Sequence, residues 1–242
     1  MSLLRLSISD FKNIFREQIL YFMFIGAPIL QYGLFRWGLP WVVGQYPVVE
    51  PYTGLILALL TLQVVGGIGF VLASILLDER DDGVLTALRI TPIGPNAFLF
   101  YRMFMGMLIG WIFALIMLRW NGIVQLEWPV VVAGALLLAA MAPMIMLVMA
   151  TFSKNKVEGL AMYKGINFVL MLPLAGIFLP DAWGQLFAFL PTHWTLHFLD
   201  QAYKGNILYH YFLIGFPVHL AFLWLMVRQF RKRVFESVAE LI

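Results

Sequence analysis

Three observations predict an all-α integral membrane protein. Hydrophobic residues make up 62% of the 242-residue chain and charged residues only 12%. A soluble domain carries about 25% charged residues and cannot hide this much apolar surface from water. The apolar residues gather into six stretches long enough to cross a bilayer as helices, with no polar region large enough for a second domain. The charges fall in short breaks between those stretches, most densely at residues 78–89. Cysteine is absent, which excludes disulfides and thiolate metal sites.

Residues 1–18 are expected to form an amphipathic helix along the membrane surface. Leu3, Leu4, Ile8, Phe11, Ile14 and Phe15 recur at helical spacing, with Arg5, Asp10, Lys12 and Arg16 between them. A six-helix transmembrane domain then occupies residues 19–227. Its first span, about 19–35, contains Pro28, which should kink it, and residues 37–51 read as a Pro/Gly/aromatic loop. The second span, about 52–77, has 26 residues and a length of about 39 Å. That exceeds a hydrocarbon core of roughly 30 Å, so it should tilt or project. Gly66, Gly67 and Gly69 inside it offer a close approach to another backbone. The third, fourth and fifth spans are placed at about 97–118, 129–152 and 159–179, the last weakened by Pro173 and Gly176. Residues 180–206 are too interrupted to cross and too apolar for a free loop, which predicts one or two short helices dipping in from the far face. The sixth span, about 207–227, precedes a basic tail at 228–242.

Lysine and arginine sort unevenly between the two sides. Arg5, Lys12, Arg16, Arg80, Arg89, Arg102, Lys154, Lys156, Lys164, Arg228, Arg231, Lys232 and Arg233 fall on one side, against Arg36, Arg119 and Lys204 on the other. The basic side is cytoplasmic by the positive-inside rule, which places both termini there.

The stretch from Leu77 to Pro92 therefore faces the cytosol. A charged loop between spans usually just holds topology, yet Asp78, Glu79, Asp81 and Asp82 work against a basic anchor. They suit the N-terminus of a short helix, where the dipole favours negative charge. Val84, Leu85 and Leu88 give that helix an apolar face and Thr91-Pro92 stops it, a pattern fit for docking a cytosolic partner.

Glu79-Arg80, Gly83, Leu85, Leu88 and Thr91-Pro92 resemble the Glu-Arg…Gly-Thr-Leu…Leu…Thr-Pro signature between the second and third spans of type-2 ABC transporter permeases. The likeness extends to the layout: an interfacial N-terminal helix, six spans and a broken hydrophobic element before the last. Val84 stands where the signature has Thr, and Thr86 where an acidic residue is common. The resemblance implies that the helix at 78–92 couples to a separate cytosolic ATP-binding subunit through Glu79, Arg80, Gly83, Leu85, Leu88, Thr91 and Pro92. It also implies export through a path shared with a second permease subunit, either an identical copy or a related chain.

The chain has no Gly-x-x-x-x-Gly-Lys-Ser/Thr loop, so ATP and Mg are expected on the partner and no cofactor on this chain. Membrane lipid is the other expected partner, and no nucleic acid. Intramembrane acids and arginines of the kind that mark ion pathways are scarce, which disfavours a secondary carrier and suits a hydrophobic or amphipathic cargo such as a drug, antibiotic or lipid. Gln31, Gln63, Met141, Met144 and Asn167 are the candidate path residues. His193 and His197, four apart with Asp200 nearby, offer an alternative: an intramembrane enzyme with an outer-face site. Two histidines without an evident third ligand more simply belong to an aromatic interface beside Trp194, Phe198 and Tyr203, so no metal site is assigned.

Overall fold

A computed structural model describes residues 3–87 and 94–236; Leu88, Thr91 and Pro92 lie outside the described residues. All regular structure among those described is helical. An interfacial helix α1 (Leu3–Arg16) leads into the first crossing helix, α2 (Gln18–Gln45). The second is α3 (Thr53–Asp81), followed by a single turn of helix, α4 (Val84–Ala87), and the third crossing, α5 (Gly94–Arg119). Then come α6 (Trp128–Phe152) and α7 (Lys156–Phe178), a short α8 (Asp181–Gly184), α9 (Pro191–Tyr203) and α10 (Tyr209–Phe230). Six of these helices are long and apolar enough to cross a membrane.

The first crossing departs from expectation. Residues 37–45 are not loop; the helix continues to Gln45, and a 3-10 turn covers Pro47–Tyr52. Proline in a helix interior lacks an N–H and its ring strikes the carbonyl four residues back. Here each proline is preceded by a widened π-helical turn, Phe22–Gly26 before Pro28 and Leu34–Gly38 before Pro40. The wider turns accommodate the rings, so the helix bends without ending. The fourth crossing shows the other outcome. Pro143 leaves Ala139 without its helical donor, and α6 breaks at Ala140 into Trp128–Ala139 and Met141–Phe152.

α3 and α6 form the centre of the bundle. Leu57, Val65, Ile68, Val71 and Leu77 on α3 are buried, as are Leu137, Met141, Met146 and Met149 on α6. Gly69 makes that contact possible, because a Cβ there would stand 2.6 Å from the Ala142 carbonyl oxygen. The remaining crossings surround this pair and expose apolar side chains outward, including Phe100, Phe104, Phe168, Leu213 and Trp224. Outward apolar surface on an outer ring and close packing within are what a lipid solvent requires.

The segment before the last crossing forms α8, a 3-10 turn at Gln185–Phe187, and α9. Along α9, Thr192, His193, Thr195, Leu196, Phe198 and Leu199 are buried. It packs against α10, where Gly215 lies so close to Trp194 that a Cβ would be 2.6 Å from that residue's own Cβ.

Candidate functional site

The acids expected to open a short helix instead close a long one. Asp78, Glu79 and Asp81 belong to the last turn of α3, and α4 starts only after Gly83. Acids at a helix C-terminus oppose the helix dipole. Cations from two other segments, Arg102 for Glu79 and Lys156 for Asp78, account for the reversal. Gly83, at φ +74°, ends α3 by donating its N–H to Arg80 O (3.1 Å), a left-handed cap that glycine adopts without strain.

Arg102, on α5 and wholly buried, reaches across to two carboxylates. Its Nη1 lies 2.9 Å from Asp10 Oδ1 on α1, and its Nη2 donates to Glu79 Oε1 at the end of α3. The Tyr101 hydroxyl donates to Asp10 Oδ2 at 3.5 Å. Burial raises the Asp10 carboxyl above its ordinary 3.8, against the pull of the Arg102 guanidinium. Lys156, at the start of α7, joins Glu17 (2.5 Å) to Asp78 (2.9 Å). Arg80 donates to the carbonyls of Ala150 (3.1 Å), Ser153 (2.6 Å) and Lys154, satisfying the C-terminal end of α6. α7 then starts from Asn155, whose Oδ1 accepts from Glu158 N (3.0 Å), while Glu158 Oε2 accepts from Lys154 N (2.7 Å).

Glu79 and Arg80 thus turn inward and hold four helices in register. Asp81, Asp82 and Gly83 remain exposed at the turn, and Leu85 is buried. Asp10, Glu17, Arg102 and Lys156 were not singled out from the sequence as a site. One signal was available: Arg102 is a full charge inside an otherwise apolar span, which demands a partner.

The candidate path residues divide. Gln63 of α3 and Asn167 of α7 line one cleft of about 440 Å³, together with Ile19 and Met23 of α2, Phe70 of α3, and Leu160, Tyr163 and Lys164 of α7. The Phe70 and Tyr163 rings pack at 4.9 Å between centroids, and Asn167 Nδ2 donates to Tyr163 O (3.1 Å). Met144 lines a different cavity of about 410 Å³ with Ile145, Val148, Ile166, Leu170 and Phe222, all apolar. Met141 is fully buried in the core, and Gln31 lies on α2 outside both spaces. Both volumes fall in the range that holds a drug-sized molecule.

The histidine constellation comes only partly together. The His193 and His197 rings lie 4.3 Å apart, and His197 stacks on Tyr211 at 5.4 Å. Burial, then the neighbouring His197, pushes His193 down to about 4. Asp200 is engaged elsewhere, accepting from Lys204 Nζ at 2.7 Å. Among the described residues no three His, Asp or Glu side chains converge to hold a metal ion. His219, in the last crossing, donates from Nδ1 to Gly215 O (2.7 Å) and meets the Thr195 hydroxyl at 3.1 Å, a packing role.

Six helices long and apolar enough to cross a membrane, joined at one end by ion pairs to the N-terminal helix, define a multi-pass membrane protein. The comparisons give that class a family. A model of the Rv2686c-like family, described as "Fluoroquinolones export permease protein Rv2686c-like", matches residues 10–227, and the chain belongs to that family. It is similar to the fluoroquinolones export permease protein Rv2686c of Mycobacterium tuberculosis (strain ATCC 25618 / H37Rv), with 26% identity over 93% of this chain and 92% of that protein. The fluoroquinolones export permease protein MT2760 of strain CDC 1551 / Oshkosh matches with the same identity and coverage. No solved structure matches the chain. The chain is a membrane transport subunit of an exporter, of the ABC permease type.

Proposed function

We propose that this permease exports fluoroquinolone-like drugs from the cytoplasm, driven by a separate ATP-binding chain that carries ATP and Mg. Two permease subunits form the path, and the turn at residues 78–92 docks the ATP-binding chain. The observation that carries the reading is the family match, which covers residues 10–227, from α1 into the sixth crossing, and includes the charged turn. The turn fits the coupling role because its exposed tip follows a helix end fixed by Arg80 and Arg102 to three neighbouring helices. Force on the tip is therefore passed to the bundle rather than lost in a loose loop. Both termini and this turn face the cytoplasm, on the strength of the lysine and arginine bias.

The test is co-expression of the permease with its ATP-binding chain in a drug-sensitive bacterial host. Fluoroquinolone tolerance and drug efflux should rise only when both chains are present and the ATP-binding chain retains its phosphate-binding lysine. The tagged permease should bring down the ATP-binding chain. Efflux that persists without ATP hydrolysis would overturn the reading in favour of a carrier.

A further inference from the structure

Lys164 has an unusual setting. It lies eight residues into α7, about 12 Å along the helix axis from Lys156. Unlike Lys156, Arg102, Arg80 and Lys204, it has no ion-pair partner among the described residues. Its neighbours in the cleft are Ile19, Met23 and Leu160, and no carboxylate lines the space. Lys164 is exposed at the edge of the cleft, and a cation in a crossing helix with no counter-charge is open to an anionic ligand there.

The rest of the cleft is graded. The same cleft is lined by Phe70 and Tyr163, whose largely buried rings pack on each other and give it an aromatic wall. One turn further along, Asn167 and, from α3, Gln63 supply amide donors and acceptors. The fully apolar cavity around Met144 has neither the charge nor the amides.

We infer that the cleft between α2, α3 and α7 is the cargo-binding site and that Lys164 selects cargo carrying a carboxylate beside a flat aromatic ring. This rests on the exporter reading and assigns it a site. A charge-assisted hydrogen bond from the ammonium to a carboxylate favours the acid over its neutral ester. The same ammonium has a rival ligand, the phosphate of an anionic lipid.

The experiment compares a fluoroquinolone with its methyl ester, using the permease with its ATP-binding chain in phosphatidylcholine nanodiscs for binding and in proteoliposomes for transport. Lys164→Met should weaken binding of the acid about tenfold and leave the ester unchanged, while Lys164→Arg retains the preference. The acid-to-ester ratio is the readout, so a general loss of folded protein does not imitate the result. An unchanged ratio in Lys164→Met overturns the assignment. Adding phosphatidylglycerol separates the two anions: acid binding that survives supports the cargo site, and acid binding abolished in wild type alone reassigns Lys164 to lipid. If wild type moves neither compound, the export reading fails, and the binding ratio still decides the role of Lys164.

Discussion

Removing the Arg102 guanidinium would leave Asp10 and Glu79 buried without a counter-ion, since no other cation reaches either carboxylate among the described residues. Breaking a buried ion network from one side costs about 3–5 kcal/mol, whereas replacing the whole set by neutral groups costs far less. Arg102→Met should therefore lower the detergent melting temperature sharply, and adding Asp10→Asn with Glu79→Gln should recover most of the loss. If Arg102→Met alone melts like wild type, the network does not hold this end together. At this scale the sequence shows which residues are anomalous but not what they touch. Glu79 and Arg80 stand out in the chain, yet their partners lie 23 and at least 70 positions away, beyond any local pattern. Gln63 and Asn167 are legible as polar residues in apolar spans, and only the packing of α3 against α7 places them in one cleft.

The helices themselves were largely legible, because a bilayer demands long apolar runs and admits few alternatives. The errors fall at their ends. Prolines and tryptophans at positions 37–41 look like loop, but π-helical turns before Pro28 and Pro40 carry α2 through. The acids at 78–82 look like a helix start, but the cations that stabilise them as a helix end come from elsewhere in the chain. The glycines of α3 illustrate how a shared motif divides in function. A Cβ on Gly69 would strike the Ala142 backbone at 2.6 Å, whereas one on Gly67 would meet the Met23 carbonyl at an ordinary 3.5 Å. Gly69→Ala must push α6 away from α3, at about 1–3 kcal/mol. Gly67→Ala has room and should be neutral or slightly stabilising through its better helix propensity. Melting of the two variants side by side checks this; equal effects would show that the α3–α6 contact yields freely.

At the scale of the whole molecule, the ends of the bundle can be told apart without reference to lipid. Asp10, Glu17, Asp78, Glu79, Arg102 and Lys156 meet in ion pairs at one end, and Arg233 lies over the Phe152 ring at 4.6 Å close by. At the other, Arg36 lies against Gly122, where a Cβ would be 2.6 Å from its Nη1, and Arg119 lies over Trp128 at 5.3 Å. Residues far apart in sequence thus return to the same end after an even number of crossings, as six spans require. The positive-inside rule predicts that the ion-paired end is the cytoplasmic one. The absence of cysteine makes this directly testable, since any introduced thiol is the sole label site. Asp82 and Asn206 are both exposed and lie on opposite sides in this arrangement. Asp82→Cys should react with a membrane-impermeant maleimide only in inside-out vesicles, and Asn206→Cys only in intact spheroplasts. The reverse pattern would invert the orientation, and with it the direction in which a cytosolic ATP-binding chain could drive cargo. Labelling of both from one side would contradict an odd number of crossings between them, and the six-span architecture would fall.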